Sequence, residues 1–314
     1  MVDRSAPDHP PPDLLVLGGG GILGEAWMSA VLAGIESAGG FDARRSGSFL
    51  GTSAGSIVAA ALAGGVSATT RVGTLPQQPE VPETATDHPS PLSRILAATG
   101  ALAGGAVAPA AALTLRSTAG AGALARRTAL ARVPVGGRSL GGLERSIDEL
   151  GLRWDGRLLV AAVDLASGKR VVFGVPGAPD VTVAEAVLAS CAIPGVFEPL
   201  RAGGRSYVDG GAWSPTNMDG ADVDRGDRVL CLNPTGSLRP TVAAPAGVLG
   251  PVSRSIATAE ALVLRRRGAR VHTVNPDRNS AAAMGSSLMS ARGRPGVVAA
   301  GLAQGRRLHS SASR

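Results

Sequence analysis

The chain has 314 residues, of which 44% are hydrophobic, and it carries a formal net charge of +7. This size and composition allow one large α/β core, so we expect a single domain. Aromatic residues make up only 3% of the chain. Platforms on which bases could stack are therefore scarce, which argues against nucleic-acid binding, whereas the basic charge is compatible with peripheral contact with an anionic membrane surface.

Residues 1–13 are rich in proline and contain no apolar segment of signal-peptide length. We interpret them as a disordered lead before a single domain at residues 14–310. The two cysteines, Cys191 and Cys231, are too few for a disulfide framework and lack the paired spacing of a zinc site. We therefore expect a protein of the reducing cytoplasm that holds no metal.

From residue 14 onward, apolar runs of strand length alternate with helix-like stretches, which predicts a mostly parallel sheet covered by helices. A strand at Leu14–Leu17 runs into a glycine turn, and a helix follows over Glu25–Ser37. Phe49 and Leu50 then lead into a second turn, "GTSAGS". The segment "AGSIVAAALAGG" after this turn is typical of a buried helix built from small residues.

Residues 66–135 interrupt this alternation. A loop rich in proline and threonine precedes the segment "ILAATGALAGGAVAPAAALTL", which lies in a stretch without charge between Arg94 and Arg116. The segment is long enough to cross a membrane, but alanine and glycine give it little transfer free energy. We interpret the insertion as a mobile lid or cap over the site, with plain helical packing and a membrane span as the alternatives.

The alternation returns after residue 135. Thr182 and Glu185 have the spacing of a capping box at the start of a helix that Pro194 ends. The remaining predicted elements are an amphipathic helix "RSLGGLERSIDELG", two strands joined by a turn in "RLLVAAVDLASGKRVVFG", the strands "RSYVDGG", "RVLCLN" and "ARVHTVNP", and a helix before the last of them.

The first candidate catalytic residue is Ser53, the centre of the G-x-S-x-G sequence "GTSAG". This sequence follows an apolar run and precedes a helix, as a nucleophile elbow requires. Gly51 and Gly55 would leave room for a sharp strand-to-helix turn. The helix N-terminus behind the serine would favour developing negative charge.

A serine hydroxyl needs a base. Among the four histidines, only His272 follows the serine in a predicted strand, so it stays a minor alternative. Asp209 in "YVDGG" is the better candidate, because Gly210 and Gly211 let the chain turn away and leave the carboxylate at the edge of the sheet. Burial would raise its proton affinity and suit it to this role.

Taken together and in order, "GGGGILG", "GTSAG" and "DGG" resemble the blocks of the patatin-like phospholipases. The segments "VDLASGKRVVF" and "ASCAIPGVFEP" resemble two further parts of that family. The resemblance implies a three-layer α/β fold and a serine acyl hydrolase with a Ser/Asp dyad. It covers Leu14 to about Asn217 and therefore leaves the insertion and the tail without a match.

The glycine turn after the first strand allows two interpretations. Gly19, Gly21 and Gly24 satisfy the dinucleotide fingerprint G-x-G-x-x-G, for which Glu36 or Asp42 would be the ribose acid. By the resemblance, Gly19, Gly20 and Gly21 instead form an oxyanion loop that Gly24 closes. The serine elbow and the aspartate favour the second interpretation, since a nucleotide fold needs neither.

Leu23 stands where the family usually has a cation, which would tune the oxyanion hole differently. The prediction is an enzyme that cleaves carboxylic ester bonds of lipids through Ser53 and Asp209, without a cofactor or metal. Its alternatives are a lipid-binding protein of the same fold with little or no turnover and, less favoured, a nucleotide-binding Rossmann-like enzyme.

Overall fold

A computed structural model describes residues 10–73, 119–237, 249–285 and 287–312. The strands are β1 (Leu14–Leu17), β2 (Ser48–Thr52), β3 (Leu158–Asp164), β4 (Arg170–Phe173), β5 (Leu200–Ala202), β6 (Arg205–Asp209), β7 (Arg228–Leu232) and β8 (Arg270–Val274). The helices are α1 (Gly21–Ser37), α2 (Ala54–Ala63), α3 (Ala68–Gly73), α4 (Ala119–Leu130), α5 (Gly141–Asp148), α6 (Val183–Cys191), α7 (Leu249–Arg266), α8 (Arg278–Met284) and α9 (Arg294–Ala312).

The described strands form one eight-stranded mixed sheet. Five of them, in the order β3, β2, β1, β7 and β8, run parallel. The other three, β4, β5 and β6, pair antiparallel with their neighbours. The expected mostly parallel sheet is therefore confirmed, and its antiparallel part lies on the β3 side.

Strands β2 and β6 meet end to end along one edge of β3. β2 pairs with Leu158–Ala161 and β6 pairs with Ala162–Asp164. The hairpin partner β4 pairs with Val160–Val163 and therefore occupies the opposite edge. The carboxyl ends of β2 and β6 consequently converge beside Ala161 and Ala162, which places the residues that follow each strand next to one another.

The sheet is buried on both faces, which gives the three layers expected from the sequence. Along β1, Leu15 and Leu17 face the core shared with α1, α2, α6 and α9, whereas Leu14 and Val16 face the core shared with α7. The near-continuous apolar sequences of these strands follow from this two-sided burial.

Helices α1 and α9 pack backbone to backbone through glycine. A Cβ at Gly305 would lie 2.1 Å from the carbonyl oxygen of Val31, and one at Gly34 would lie 2.4 Å from that of Leu302. Gln304 adds polar contacts, because its Oε1 accepts a hydrogen bond of 3.0 Å from the Trp27 indole nitrogen. The C-terminal helix is thus an integral layer of the fold.

The expected strands and helices outside the insertion are present, including the capping box between Thr182 and Glu185. The apolar segment of the insertion lies within residues 74–118, outside the described residues, as do residues 1–9 of the N-terminal lead. Arg228 holds the described end of that lead by hydrogen bonds to Asp13 and to the carbonyl oxygens of Pro10 and Pro11. Among the described helices, none has the length and hydropathy needed to cross a membrane.

Candidate active site

Ser53 lies at the sharp turn between β2 and α2, as the G-x-S-x-G sequence predicted. Its backbone has φ 52° and ψ −125°, a conformation that residues with a side chain rarely adopt. The turn places the serine at the N-terminus of α2, where the backbone N–H groups favour negative charge. A strained serine at this position is the geometry of a nucleophile elbow.

Both glycines of this motif are required because neighbouring backbone atoms approach them too closely to leave room for a side chain. A Cβ at Gly55 would lie 1.9 Å from the carbonyl oxygen of Leu17, at the end of β1. A Cβ at Gly51 would lie 2.3 Å from the Cα of Ser56, in the first turn of α2. Any side chain at either position would push the elbow away from the sheet.

The structure brings Ser53 and Asp209 into direct contact. The hydroxyl of Ser53 donates a hydrogen bond of 2.7 Å to Oδ2 of Asp209. Oδ1 of Asp209 accepts a second hydrogen bond of 2.7 Å from the backbone N–H of Gly211. Gly210 allows the turn after the aspartate, since a Cβ there would lie 2.3 Å from the carbonyl oxygen of Ala161.

Burial raises the pKa of Asp209 from 3.8 to about 7, against the lowering effect of its hydrogen bonds from Ser53 and Gly211. As whole residues, Asp209 is 1% exposed and Ser53 is 6% exposed. Above pH 7 the carboxylate predominates and can take a proton, and once protonated it can return that proton. A carboxyl group with such a pKa suits general acid–base chemistry near neutrality.

Ser190, which follows Ala189 in the "ASCAIPGVFEP" segment, connects the elbow to β3 by hydrogen bonds. Its hydroxyl accepts a hydrogen bond of 2.8 Å from the backbone N–H of Ser53 and donates one of 2.7 Å to the carbonyl oxygen of Ala161. The segment is recognisable in the sequence, but the sequence alone assigns no role to this serine. The contact spans 137 residues, so local pattern alone does not reveal it.

The glycine turn between β1 and α1 passes beside the serine, since a Cβ at Gly19 would lie 3.4 Å from the Cβ of Ser53. The three glycines of the turn differ in what their N–H groups do. Gly19 donates to the carbonyl oxygen of Pro215 at 2.8 Å. The N–H groups of Gly20 and Gly21 have no acceptor among the described residues, and they begin α1, where partial positive charge accumulates.

Leu23, at the position of the family's cation, is buried and contributes no charge. Its side chain packs against Gly293, and its backbone N–H donates a hydrogen bond of 3.0 Å to the carbonyl oxygen of Leu288. Gly24 leaves room for Pro234, whose ring lies 3.1 Å from the position of a Cβ at residue 24. Residues of the C-terminal third therefore cover the outer side of the glycine turn.

His272 lies far from the serine. It is exposed on β8, three strands away from β2, which corresponds to about 14 Å across a sheet. Cavities of about 590 Å³ and 310 Å³ lie beside β8 and are both lined by His272 and Arg265. The geometry does not support His272 as the base, and neither cavity includes Ser53.

Asp42 and Glu36, the two acids that the nucleotide-binding interpretation assigns to the ribose, are engaged or positioned elsewhere. The carboxylate of Asp42 forms an ion pair of 2.7 Å with Arg44 and caps the short helix at Ala43–Arg45. Glu36 lies near the C-terminal end of α1, at the far end of that helix from the glycine turn. Within the described ranges, no three His, Cys, Asp or Glu side chains cluster as metal ligands would.

Comparison with known proteins finds one family model and several solved structures that are similar to this chain. A family model described as patatin-like phospholipase matches residues 15–222. The solved structure of VipD from Legionella pneumophila is 16% identical, with a TM-score of 0.44, over 96% of this chain and 67% of that chain. The type III effector protein ExoU is 16% identical, with a TM-score of 0.41, over 96% of this chain and 53% of that one. No curated protein sequence matches.

Proposed function

This chain belongs to the patatin-like phospholipase family, and we propose that it is a lipid acyl hydrolase that cleaves carboxylic esters through Ser53 and Asp209. The observation that carries the proposal is the 2.7 Å hydrogen bond from the serine hydroxyl to a buried carboxyl. Its pKa of about 7 allows that carboxyl to exchange a proton at neutral pH.

In the proposed first step, the hydroxyl oxygen of Ser53 attacks the carbonyl carbon of the ester. Asp209 accepts the hydroxyl proton as the new C–O bond forms. The carbonyl oxygen becomes an oxyanion next to the glycine turn. The protonated Asp209 then gives its proton to the alcohol oxygen as the ester bond breaks, which leaves the acyl group on Ser53.

The N–H groups of Gly20 and Gly21, which have no acceptor in the part of the chain that the structure describes, are the donors that we assign to the oxyanion. Gly19 shapes the turn instead, because its N–H is bound to Pro215. An oxyanion donor typically contributes about 3 kcal/mol to stabilising the transition state. With Leu23 in place of a cation, this stabilisation would come from backbone dipoles and the N-terminus of α1.

In the second step, water takes the place of the alcohol. Asp209, now ionised again, removes a proton from the water as it attacks the acyl carbon. The tetrahedral intermediate collapses, the proton returns to Ser53, and the carboxylic acid leaves. One aspartate thus acts twice in each turnover, as base and then as acid.

Hydrolysis of p-nitrophenyl esters of graded chain length by the purified protein tests this proposal. We expect turnover by the wild type and background rates for Ser53→Ala and Asp209→Asn. The dependence on chain length then begins to define the acyl group. Activity that survives in Asp209→Asn contradicts the dyad, and a folded but inactive wild type favours the lipid-binding alternative.

Peripheral contact with an anionic lipid surface, suggested by the charge of +7, stays a prediction, as does the cytoplasmic location. Sedimentation with vesicles that contain or lack anionic lipid tests the contact directly. We expect more sedimentation with anionic vesicles and less as salt screens the charges.

A further inference from the structure

We propose that the segment Ser214–Met218, here called the clamp, fixes the relative positions of Ser53, Asp209 and the glycine turn, with Asn217 as its positioning residue. The inference rests on the proposed function, because it concerns the reactivity of the same serine. It assigns a role to residues that lie after the DGG motif and belong to none of the motifs described above.

Asn217 connects the strand that carries the serine with the turn that follows the aspartate. Its Nδ2 donates hydrogen bonds of 3.2 Å to the hydroxyl oxygen of Thr52 and of 3.1 Å to the carbonyl oxygen of Gly210. A third, of 2.7 Å, goes to the carbonyl oxygen of Ser214. One amide group thus contacts the residue before the nucleophile and the residue after the base.

Two further contacts join the clamp to the other parts of the site. The carbonyl oxygen of Pro215 accepts the N–H of Gly19 in the glycine turn. The hydroxyl of Thr52 donates a longer bond, of 3.4 Å, to the carbonyl oxygen of Thr216. The clamp therefore contacts all three parts of the proposed machinery, which come from distant positions in the sequence.

A buried acid anchors the clamp to α7. Glu260, which is fully buried, accepts hydrogen bonds from the hydroxyl of Thr216 and, at 2.9 Å, from the backbone N–H of Met218. The hydroxyl oxygen of Ser214 accepts the N–H groups of Thr216 and Asn217. The residues on both sides of Asn217 are thereby fixed.

The conformation of Asn217 is itself unusual. Its φ of 50° lies in the left-handed region, and its buried Oδ1 has no donor among the described residues. A left-handed backbone and a buried polar atom without a partner both cost stability. Such costs are typical of sites where a residue must hold functional groups in position. Asparagine tolerates this backbone better than most residues, and the two N–H groups of its amide are shared among the three acceptors.

Two matched variants separate positioning from general stability. Asn217→Gly keeps a residue that accepts positive φ while removing the three side-chain bonds. Gln304→Ala removes another buried amide, which bonds Trp27, Ser280 and the backbone of Asn275 in a different part of the fold. We expect both changes to lower the thermal unfolding temperature, so stability alone does not distinguish them.

Ester hydrolysis provides the first readout. We expect kcat of Asn217→Gly to fall about tenfold to a hundredfold with KM nearly unchanged, because a small misplacement of reacting groups slows the chemistry. Gln304→Ala keeps the kcat of the wild type per folded molecule. Equal kcat values for Asn217→Gly and the wild type, or equal losses in the two variants, overturn the proposal.

The pH dependence provides a second readout that a purely structural role would not move. The pKa of Asp209 is set by burial and by hydrogen bonds from Ser53 and Gly211, with no charged group of the described residues contributing. The bond from Ser53 lowers this pKa, so loosening it raises the midpoint of the kcat profile above that of the wild type. Gln304→Ala leaves the midpoint unchanged.

Titration of the Asp209 carboxyl by infrared spectroscopy, with Asp209→Asn as the blank, distinguishes failure of the clamp from failure of the proposed function. If the wild type hydrolyses no ester but Asn217→Gly still raises the pKa of Asp209, the proposed function fails and the clamp stands. If the pKa is the same in the wild type and Asn217→Gly, the clamp is wrong whatever the activity.

Discussion

Two regions of the chain contribute differently to this molecule. They are residues 15–222, which match the family, and residues 223–312, which follow them. The first region supplies Ser53, Asp209 and the glycine turn, and each of these carries a recognisable motif. The second region carries none of the quoted motifs, yet β7 pairs with β1 at the centre of the sheet, α9 packs against α1, and Glu260 anchors the clamp. The first region thus supplies the proposed chemical groups and their immediate contacts, including Ser190 and the clamp, whereas the second region packs against them and anchors the clamp.

This difference has a thermodynamic side. In the first region, the proposed catalytic groups are unfavourable for folding: Ser53 has a strained backbone and Asp209 is a buried carboxyl with a raised pKa. In the second region, close packing of glycine-containing helices is favourable. Substitutions that relieve the site should therefore stabilise the protein, and substitutions that disturb α9 should destabilise it.

The largest expected effect is that of Asp209→Asn at alkaline pH. Between 3.8 and about 7, folded Asp209 keeps a proton that the unfolded chain has lost, so the wild type loses stability as the pH rises. Asparagine has no such dependence. The resulting difference in the free energy of unfolding between Asp209→Asn and the wild type is at most about 4 kcal/mol above pH 7, and it vanishes below pH 4.

Urea unfolding of the wild type and Asp209→Asn at pH 4 and pH 8 measures this effect. We expect Asp209→Asn to be more stable than the wild type at pH 8 and equally stable at pH 4. A variant that is less stable at pH 8 would mean that the contacts of the carboxylate outweigh its burial.

The next effect concerns the packing of α9. Gly305→Ala places a Cβ 2.1 Å from the carbonyl oxygen of Val31 and should lower the free energy of unfolding by about 3 kcal/mol. Gly296→Ala in the same helix is the control, because its Cβ would lie 3.9 Å from its nearest neighbour. That control should be neutral or stabilising by up to about 1 kcal/mol, since alanine favours a helix.

Chemical denaturation measures the free energy of unfolding of the two alanine variants. Equal stability of Gly305→Ala and Gly296→Ala would show that α9 is loosely attached. In that case residues 223–312 would not stabilise the region that carries the proposed catalytic groups.

The smallest effect is at the elbow. Ser53→Gly and Ser53→Ala both remove the hydrogen bond to Asp209, but only glycine relieves the backbone at φ 52°. We expect Ser53→Gly to be more stable than Ser53→Ala by about 1 kcal/mol, after the greater entropy of unfolded glycine is included. Thermal unfolding of both variants in one buffer measures this, and a more stable alanine variant would contradict a strained elbow.

Much of the fold could be predicted from the sequence because its signals are local. Apolar runs predicted β1, β2 and the hairpin of β3 and β4, and residue spacing predicted the capping box at Thr182. The motifs also singled out Ser53 and Asp209, because the residues around each have distinctive steric needs. These signals extend over a few residues and are readable without tertiary structure.

The remaining features depend on contacts between distant residues. The end-to-end meeting of β2 and β6 follows from which edge of β3 each strand occupies, and no local pattern specifies that edge. Asn217 contacts Thr52 across 165 positions of the chain. The bond from Gly19 to Pro215 likewise distinguishes one glycine from two neighbours that look identical in sequence.

The pH dependence of serine labelling shows whether Asp209 is the base for Ser53. A fluorophosphonate probe reacts with an activated serine, and mass spectrometry identifies the labelled residue. We expect labelling of Ser53 at a rate that rises through a midpoint near pH 7, as Asp209 ionises, and a rate close to background in Asp209→Asn. An unchanged labelling rate and pH profile in Asp209→Asn would show that Asp209 is not the base for Ser53.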